Sequence, residues 1–328
     1  MINLPIPLTE SWQAVFIEIP SNLEAILNDI NAILPTLNAS SVSPEHHIVH
    51  KAEHSGTLLK FYSKGEVQRP YNSLVISTTP NNLAIAQQSI LVFSNRDIHC
   101  LVSREITPHP SDGETSLIKN IKQLSLLHDE MQNIDLGRKG YLLTSTSLQQ
   151  DVPLFSWLVF DSIDYLGEMK TRSLPTRSSD LYERYERFGS WFSEVACAVY
   201  DTLFNQSSEH YYIHGDARNG NIIDGRFIDF DHLRLGPKEY DFGRLLADRV
   251  YLPFAQITEI IQERCDHLSE DELWRAYFHH NFILGAQALA EGDFNLFSNY
   301  AAKVRKLAAL FGGNSISELS LVLIEETF

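Results

Sequence analysis

The chain has 328 residues, 44% of them hydrophobic and 21% charged, which is the balance of a globular protein with a core of useful size and not of a low-complexity chain. Its 26 Lys and Arg against 42 Asp and Glu leave a formal net charge of −16, which repels nucleic acid and anionic membranes, whose binding needs a basic footprint. Nowhere do eighteen apolar residues run together, so no membrane span is expected. The start, Met1-Ile2-Asn3-Leu4-Pro5, has neither a basic region nor an apolar run, so a cytoplasmic location is expected. The three cysteines, Cys100, Cys197 and Cys265, sit in apolar stretches with no CxxC spacing and read as small buried hydrophobes.

In chain order, residues 47–52 and 57–62 flank His54-Ser55-Gly56 and predict a strand–turn–strand unit. Residues 89–93 and 98–102 flank Asn95-Arg96-Asp97 and predict a second hairpin. Residues 70–89 carry Pro70 and Pro80 and show no clean helical pattern. Thr107-Pro108-His109-Pro110-Ser111-Asp112-Gly113 is a turn-rich break. Beyond it Leu117, Ile118, Ile121, Leu124, Leu126 and Leu127 suit a helix of about three turns. Residues 171–179 form a polar loop, and residues 181–204 carry one broad apolar stripe at helical spacing that reads as core packing. Past residue 240 the pattern is again helical, with Pro253 its main breaker. No internal repeat is evident.

The chemistry concentrates in His214-Gly215-Asp216-Ala217-Arg218-Asn219-Gly220-Asn221 and the residues after it, up to Ile228-Asp229-Phe230-Asp231. Tyr211-Tyr212-Ile213 predicts a short strand into a polar loop. Asp224-Gly225 between apolar pairs is a strong two-residue hairpin signal, and that hairpin returns Asp229 beside the loop carrying Asp216 and Asn221. Asp and Asn are common turn residues, and any one of these alone reads as a turn. The ordered set has a further use. Convergent hard oxygens suit Mg²⁺, which takes one or two carboxylates plus substrate phosphates, and phosphoryl transfer needs such a metal and a carboxylate for the attacking hydroxyl. Neither a G-x-S-x-G elbow nor an H-E-x-x-H zinc pattern is present.

His214-Gly215-Asp216 with Asn221, then Ile228-Asp229, resembles the catalytic and metal-binding loops of the aminoglycoside phosphotransferase and choline kinase superfamily of small-molecule kinases. The resemblance implies an α+β, protein-kinase-like two-lobed fold, with a small sheet-rich lobe over residues 1–105, a hinge at 106–113 and a larger, mainly helical lobe over 114–328. It implies Asp216 as catalytic base, Asn221 and Asp229 as Mg²⁺ ligands, and His214 as the residue that braces the loop. Gly236-Pro237 and Tyr240-Asp241 resemble the downstream segment whose Asp supports the catalytic loop, and Leu126-Leu127-His128 resembles the helix after the hinge. Asp241-Phe242-Gly243 spells a protein-kinase metal motif but follows the hairpin, so Asp229 takes the metal place. Asp241 is expected at a helix start, where it can also cap backbone N–H groups, and Asp231 is expected near the metal or facing solvent.

The resemblance also implies ATP or GTP as phosphate donor and a small hydroxylated acceptor. A nucleotide lobe of this kind wants a strand lysine held by a helix glutamate. Lys60 is the candidate lysine, set against a solvent-facing lysine on an edge strand, and Glu66 lies too near a turn to be its partner. Gly56 alone marks the phosphate-covering loop, and residues 102–105 are expected to meet adenine through backbone groups. His279, His280 and Asn281 fall where the family places its acceptor pocket but read as ordinary helix surface, and Ser269 before Glu270-Asp271-Glu272 reads as a helix cap. The rival readings are a degenerate pseudokinase acting as a binding module and an unrelated metal-dependent hydrolase.

Overall fold

The structure is a computed structural model that describes residues 13–16, 20–37, 48–63, 68–77, 86–94, 98–106, 113–132, 211–291 and 293–310. The turn at 107–112, the loop at 171–179, the stripe at 181–204, Cys197 and Glu66 lie outside the described residues. The chain divides into two compact units. The first holds the described residues up to Gln132 together with 214–216 and 220–233, and the second holds 211–213, 217–219 and the described residues from 234 onward.

The first unit is built on a five-stranded antiparallel sheet of β1 (Gln13–Phe16), β2 (Ile48–Lys51), β3 (Thr57–Ser63), β4 (Ser89–Ser94) and β5 (Ile98–Arg104), in the order β1-β4-β5-β3-β2. Both predicted hairpins form. Residues alternate across a strand, so Leu59 and Phe61 of β3 share one face with Leu91, Phe93, Cys100 and Val102. That face packs on Ile26, Leu27 and Ile30 of helix α1 (Leu23–Ile33). Cys100 is a core residue, and burial pushes its thiol far above the ordinary range. Lys60 and Tyr62 point to the opposite face. β3 lies between β5 and β2, so Lys60 is not on an edge strand.

Helix α2 (Gln68–Ile76) corrects the reading of residues 70–89 as lacking a helix. Pro70 is its third residue, where the backbone N–H has no intrahelical acceptor in any case, so a proline costs little there. Helix α3 (Gly113–Gln132) runs well past both ends of the expected segment, because its last turns are polar outside and held inward by His128 and Met131. It groups with the sheet in the first unit.

The second unit contains α4 (Lys238–Ala247), α5 (Phe254–Arg264), α6 (Glu270–Glu291) and α7 (Phe294–Leu310), with the short pair β6 (Tyr211–Ile213) and β9 (Arg234–Gly236). Helix α6 packs on both α4 and α7. Ser269 caps it as expected, its Oγ accepting the Glu272 N–H at 3.5 Å, while its own N–H donates to Glu239 Oε1 at 3.0 Å. His279, His280 and Asn281 are buried, which corrects their reading as helix surface. With neighbours on two sides, α6 buries polar as well as apolar residues. The His280 Nε2 lies 3.0 Å from the Tyr240 carbonyl, and the Asn281 amide donates to the Tyr277 carbonyl at 2.7 Å.

Asp241-Phe242-Gly243 lies wholly inside α4, so it is no metal-binding loop. Gly243 is a contact glycine. A Cβ there would stand 2.7 Å from the Ala276 carbonyl carbon and 2.8 Å from the Tyr277 nitrogen of α6. Gly243→Ala would gain about 1 kcal/mol of helix propensity. The backbone clash outweighs that gain, so a net loss of about 2–3 kcal/mol is expected, read as a lower urea midpoint. An unchanged midpoint would mean that the two helices can separate without cost. Among the described residues no helix is long and apolar enough to cross a membrane.

Candidate active site

The site-bearing loop is fixed by its own backbone. Gly215 takes φ +82°, a value that a side chain resists, and thereby turns the chain out of β6. His214 is fully buried against Phe227 and Phe230, with ring centroids 5.7 and 4.7 Å away. Its Nε2 lies 2.9 Å from the Ile228 carbonyl, which can only accept, and its Nδ1 accepts the Asp216 N–H at 3.3 Å. One tautomer satisfies both contacts. His214 thus ties the residue before Asp229 to the backbone of Asp216.

The hairpin forms as predicted, with β7 (Ile222–Ile223) paired to β8 (Arg226–Phe227). Asp224 and Gly225 have φ of +51° and +73°, the positive pair that a type I′ turn needs. The Gln87 N–H donates to the Phe227 carbonyl at 2.8 Å and docks the hairpin beside the approach to β4. The Ile228 N–H donates to the Asn221 carbonyl at 2.9 Å. Asn221 is buried in the 3₁₀ turn Asn219–Asn221, and its Nδ2 donates to both the carbonyl and Oδ2 of Asp216, at 2.9 Å each. The amide is therefore oriented, with Oδ1 its one side-chain atom of a kind that a cation accepts.

Asp229 follows with φ +64° and ψ +62°, a left-handed conformation that Asp and Asn tolerate better than other side chains. Its Oδ1 accepts from Lys60 Nζ at 2.7 Å. Asp231, in the 3₁₀ turn Phe230–His232, accepts from Lys60 Nζ through Oδ2 at 2.8 Å and from the Tyr62 hydroxyl through Oδ1 at 2.8 Å. Its carbonyl receives the Asn72 amide of α2 at 3.4 Å. The Asp231 side chain is only 3% exposed against 32% for Asp229, so Asp231 does not face solvent.

Burial opposes every charge in this cluster. For Lys60 the two carboxylates prevail and hold the ammonium above its ordinary range. For Asp229 the Lys60 charge prevails over burial, and its pKa falls to about 2. For Asp231 burial and the neighbouring Asp229 charge prevail, and its pKa rises.

The structure thus brings Lys60, Asp216, Asn221, Asp229, Asp231 and His214 into the first unit. Asp241 is in the second unit, fully buried in the first turn of α4, where Pro237 holds the N-cap position. The lysine's partners are not on α2, whose residues Gln68–Ile76 include no acid. The Gly56 turn is pinned by Asp29 of α1, which accepts the Ser55 N–H at 2.9 Å and lies 2.7 Å from His54 Nδ1.

Sequence reasoning missed three contributors. Tyr62 was legible, since it lies two residues from Lys60 and so shares its face. Asn72 sits on the helix that Pro70 concealed. In the second unit, Asp248 accepts the backbone and amide N–H groups of Asn219 at 2.9 and 2.8 Å, a contact between residues 29 apart that no local signal marks.

The donor set of Asp216, Asn221 and Asp229 is oxygen only, which fits a hard cation. Among the described residues no group of three or more His, Cys, Asp and Glu side chains is gathered for a metal. A cation here would therefore draw part of its shell from substrate phosphates and water, as Mg²⁺ commonly does.

Residues 159–278 match the phosphotransferase enzyme family. That segment includes the whole run from His214 to Asp241. No curated protein matches the chain. Among solved structures, an ethanolamine kinase from Plasmodium vivax is similar at 15% identity and a TM-score of 0.50, over 81% of this chain and 80% of that one. At that identity the likeness shows the fold alone, and the fold is protein-kinase-like. A choline/ethanolamine kinase family protein from Mesorhizobium loti (12% identity, TM-score 0.48, 92% and 99% covered) and a thermostable mutant of an aminoglycoside phosphotransferase (12%, 0.48, 87% and 100%) are similar more loosely. The matched segment thus contains Asp216, Asn221 and Asp229.

Proposed function

We propose that the protein transfers the terminal phosphoryl group of ATP or GTP to a hydroxyl of a small molecule. The observation that carries this reading is the meeting of Lys60, from β3, with Asp229, 169 residues away, beside the paired Asp216 and Asn221. The family match supports it, and the fold is compatible with it.

In this reading Asp216, its Oδ2 held by the Asn221 amide, accepts the proton of the acceptor hydroxyl. The acceptor oxygen bonds to the terminal phosphorus as the bond to the bridging oxygen breaks, and the nucleoside diphosphate leaves. Lys60 supplies positive charge toward the phosphates. Asn221 and Asp229 would hold Mg²⁺, which neutralises phosphate charge when bound. The acceptor is of the amino alcohol, aminoglycoside or sugar type. The hinge role of residues 102–105 and the loop-supporting role of Asp241 belong to the same proposal.

The lack of an acid on α2 favours a second reading, a pseudokinase that binds nucleotide without turnover. Thermal shift and a transfer assay separate the two. Saturating Mg²⁺ with ATP or GTP is expected to raise Tm by roughly 5 °C, since a hundredfold excess over Kd contributes about 2.7 kcal/mol. Failure of both nucleotides to shift Tm would defeat either reading. A shift without phosphate transfer to any amino alcohol, aminoglycoside, sugar or nucleoside would favour the pseudokinase.

A further inference from the structure

We infer that Asp231 is the anchoring carboxylate of Lys60, a positioning residue that fixes the lysine from the 229–231 turn rather than from a helix, and not a ligand of the metal. The inference rests on the proposed reading that Lys60 meets the nucleotide phosphates.

Three observations carry it. The two oxygens of Asp231 are committed in different directions, Oδ1 to the Tyr62 hydroxyl and Oδ2 to the Lys60 ammonium, at 2.8 Å each. Tyr62 and Lys60 are two residues apart on one face of β3, so a single strand orients both the anchor and the anchored group. The Asn72 amide of α2 reaches the Asp231 carbonyl, which places the turn between the strand and the helix.

Exposure separates the two aspartates. Magnesium sheds water reluctantly and keeps several waters when bound. A carboxylate 3% exposed has no room for such a shell, whereas Asp229 at 32% has. Lys60 therefore has one partner that a cation can claim and one that it cannot. An ammonium has three donors, of which these carboxylates take two. When Asp229 turns to a cation, Asp231 alone keeps the lysine in place and its other donors are available to phosphate oxygens. A helix glutamate is not needed, and α2 carries none.

The test is nucleotide affinity by calorimetry, with Mg²⁺ and with EDTA, for Asp231→Asn and Tyr62→Phe. An anchor acts on the phosphates through Lys60, and most when Mg²⁺ has drawn Asp229 away. Asp231→Asn should therefore weaken ATP or GTP binding by about tenfold with Mg²⁺, the scale of one charge-assisted hydrogen bond, and by less with EDTA, where Asp229 still holds Lys60. Tyr62→Phe removes one hydroxyl and should weaken binding about threefold with Mg²⁺. An anchor leaves the metal's own affinity in place, so the half-effect Mg²⁺ concentration at saturating nucleotide should match that of the wild type. A rise of about tenfold or more in that concentration would make Asp231 a metal ligand and overturn the inference, as would unchanged nucleotide affinity in both variants. Should Asp231→Asn fail to fold, Tyr62→Phe decides alone by the same criterion. Wild-type protein that binds neither nucleotide would sink the underlying reading instead, so the two failures are distinct.

Discussion

Asp216→Asn is expected to lower kcat by about 10²–10⁴-fold, the usual contribution of a general base, with nucleotide Kd changed by no more than about twofold. The substitution is conservative for the loop. An Asn at 216 still offers a side-chain oxygen to the Asn221 amide, and the bond from that amide to the residue 216 carbonyl is untouched. The His214 contact to the residue 216 N–H is backbone as well. What is lost is the capacity to take a proton as the acceptor attacks. Interactions made only in the transition state do not set ground-state affinity. Steady-state kinetics with an active acceptor, paired with calorimetry of Mg²⁺-nucleotide, checks both halves. Turnover within threefold of wild type would remove Asp216 from its proposed role.

Asp229→Asn is expected to fail in another way, with Mg²⁺-dependent nucleotide affinity falling by about a hundredfold and turnover falling with it. Asn is the right replacement because position 229 has φ +64°, and residues other than Gly, Asn and Asp would add backbone strain of about 1–3 kcal/mol. Lys60 keeps Asp231, so the lysine is not released into a buried site without a partner. Titration with Mg²⁺ at fixed nucleotide, with an EDTA control, reads the effect. Loss of affinity in the control as well would indicate that Asp229 acts through Lys60 and not through metal. Unchanged affinity in both conditions would take it out of the metal site. The Asp216 and Asp229 variants together separate proton acceptance from metal holding.

The parts of this fold legible in the sequence are those that short-range chemistry dictates. Asp224-Gly225 specifies its turn because both residues must take positive φ, and residues 48–51 and 57–63 alternate as a strand pair should. Gly215 and His214 could be placed because each lies within two residues of Asp216. Helix α2 was illegible because a proline reads as a breaker unless its place in the first turn is known, and that place depends on where the helix begins. The acidic partners of Lys60 were visible as residues but not as partners. Asp229 and Asp231 are joined to it by tertiary contact alone, and no periodicity spans such a separation. Burial of His279 through Asn281 was hidden for a similar reason, since only the positions of α4 and α7 show that α6 has two covered sides.

The ion cluster joins residues 171 positions apart, and the first unit is assembled from stretches of chain that the second unit interrupts. On a ribosome this imposes an order of events. At about 5–20 residues per second, roughly ten to thirty seconds separate synthesis of Lys60 from synthesis of Asp231. Throughout that interval the nascent sheet presents Lys60 and Tyr62 without the turn that later covers them. An early compact species lacking this covering is a natural client for chaperones, and a fragment ending before residue 214 would lack the whole site-bearing loop.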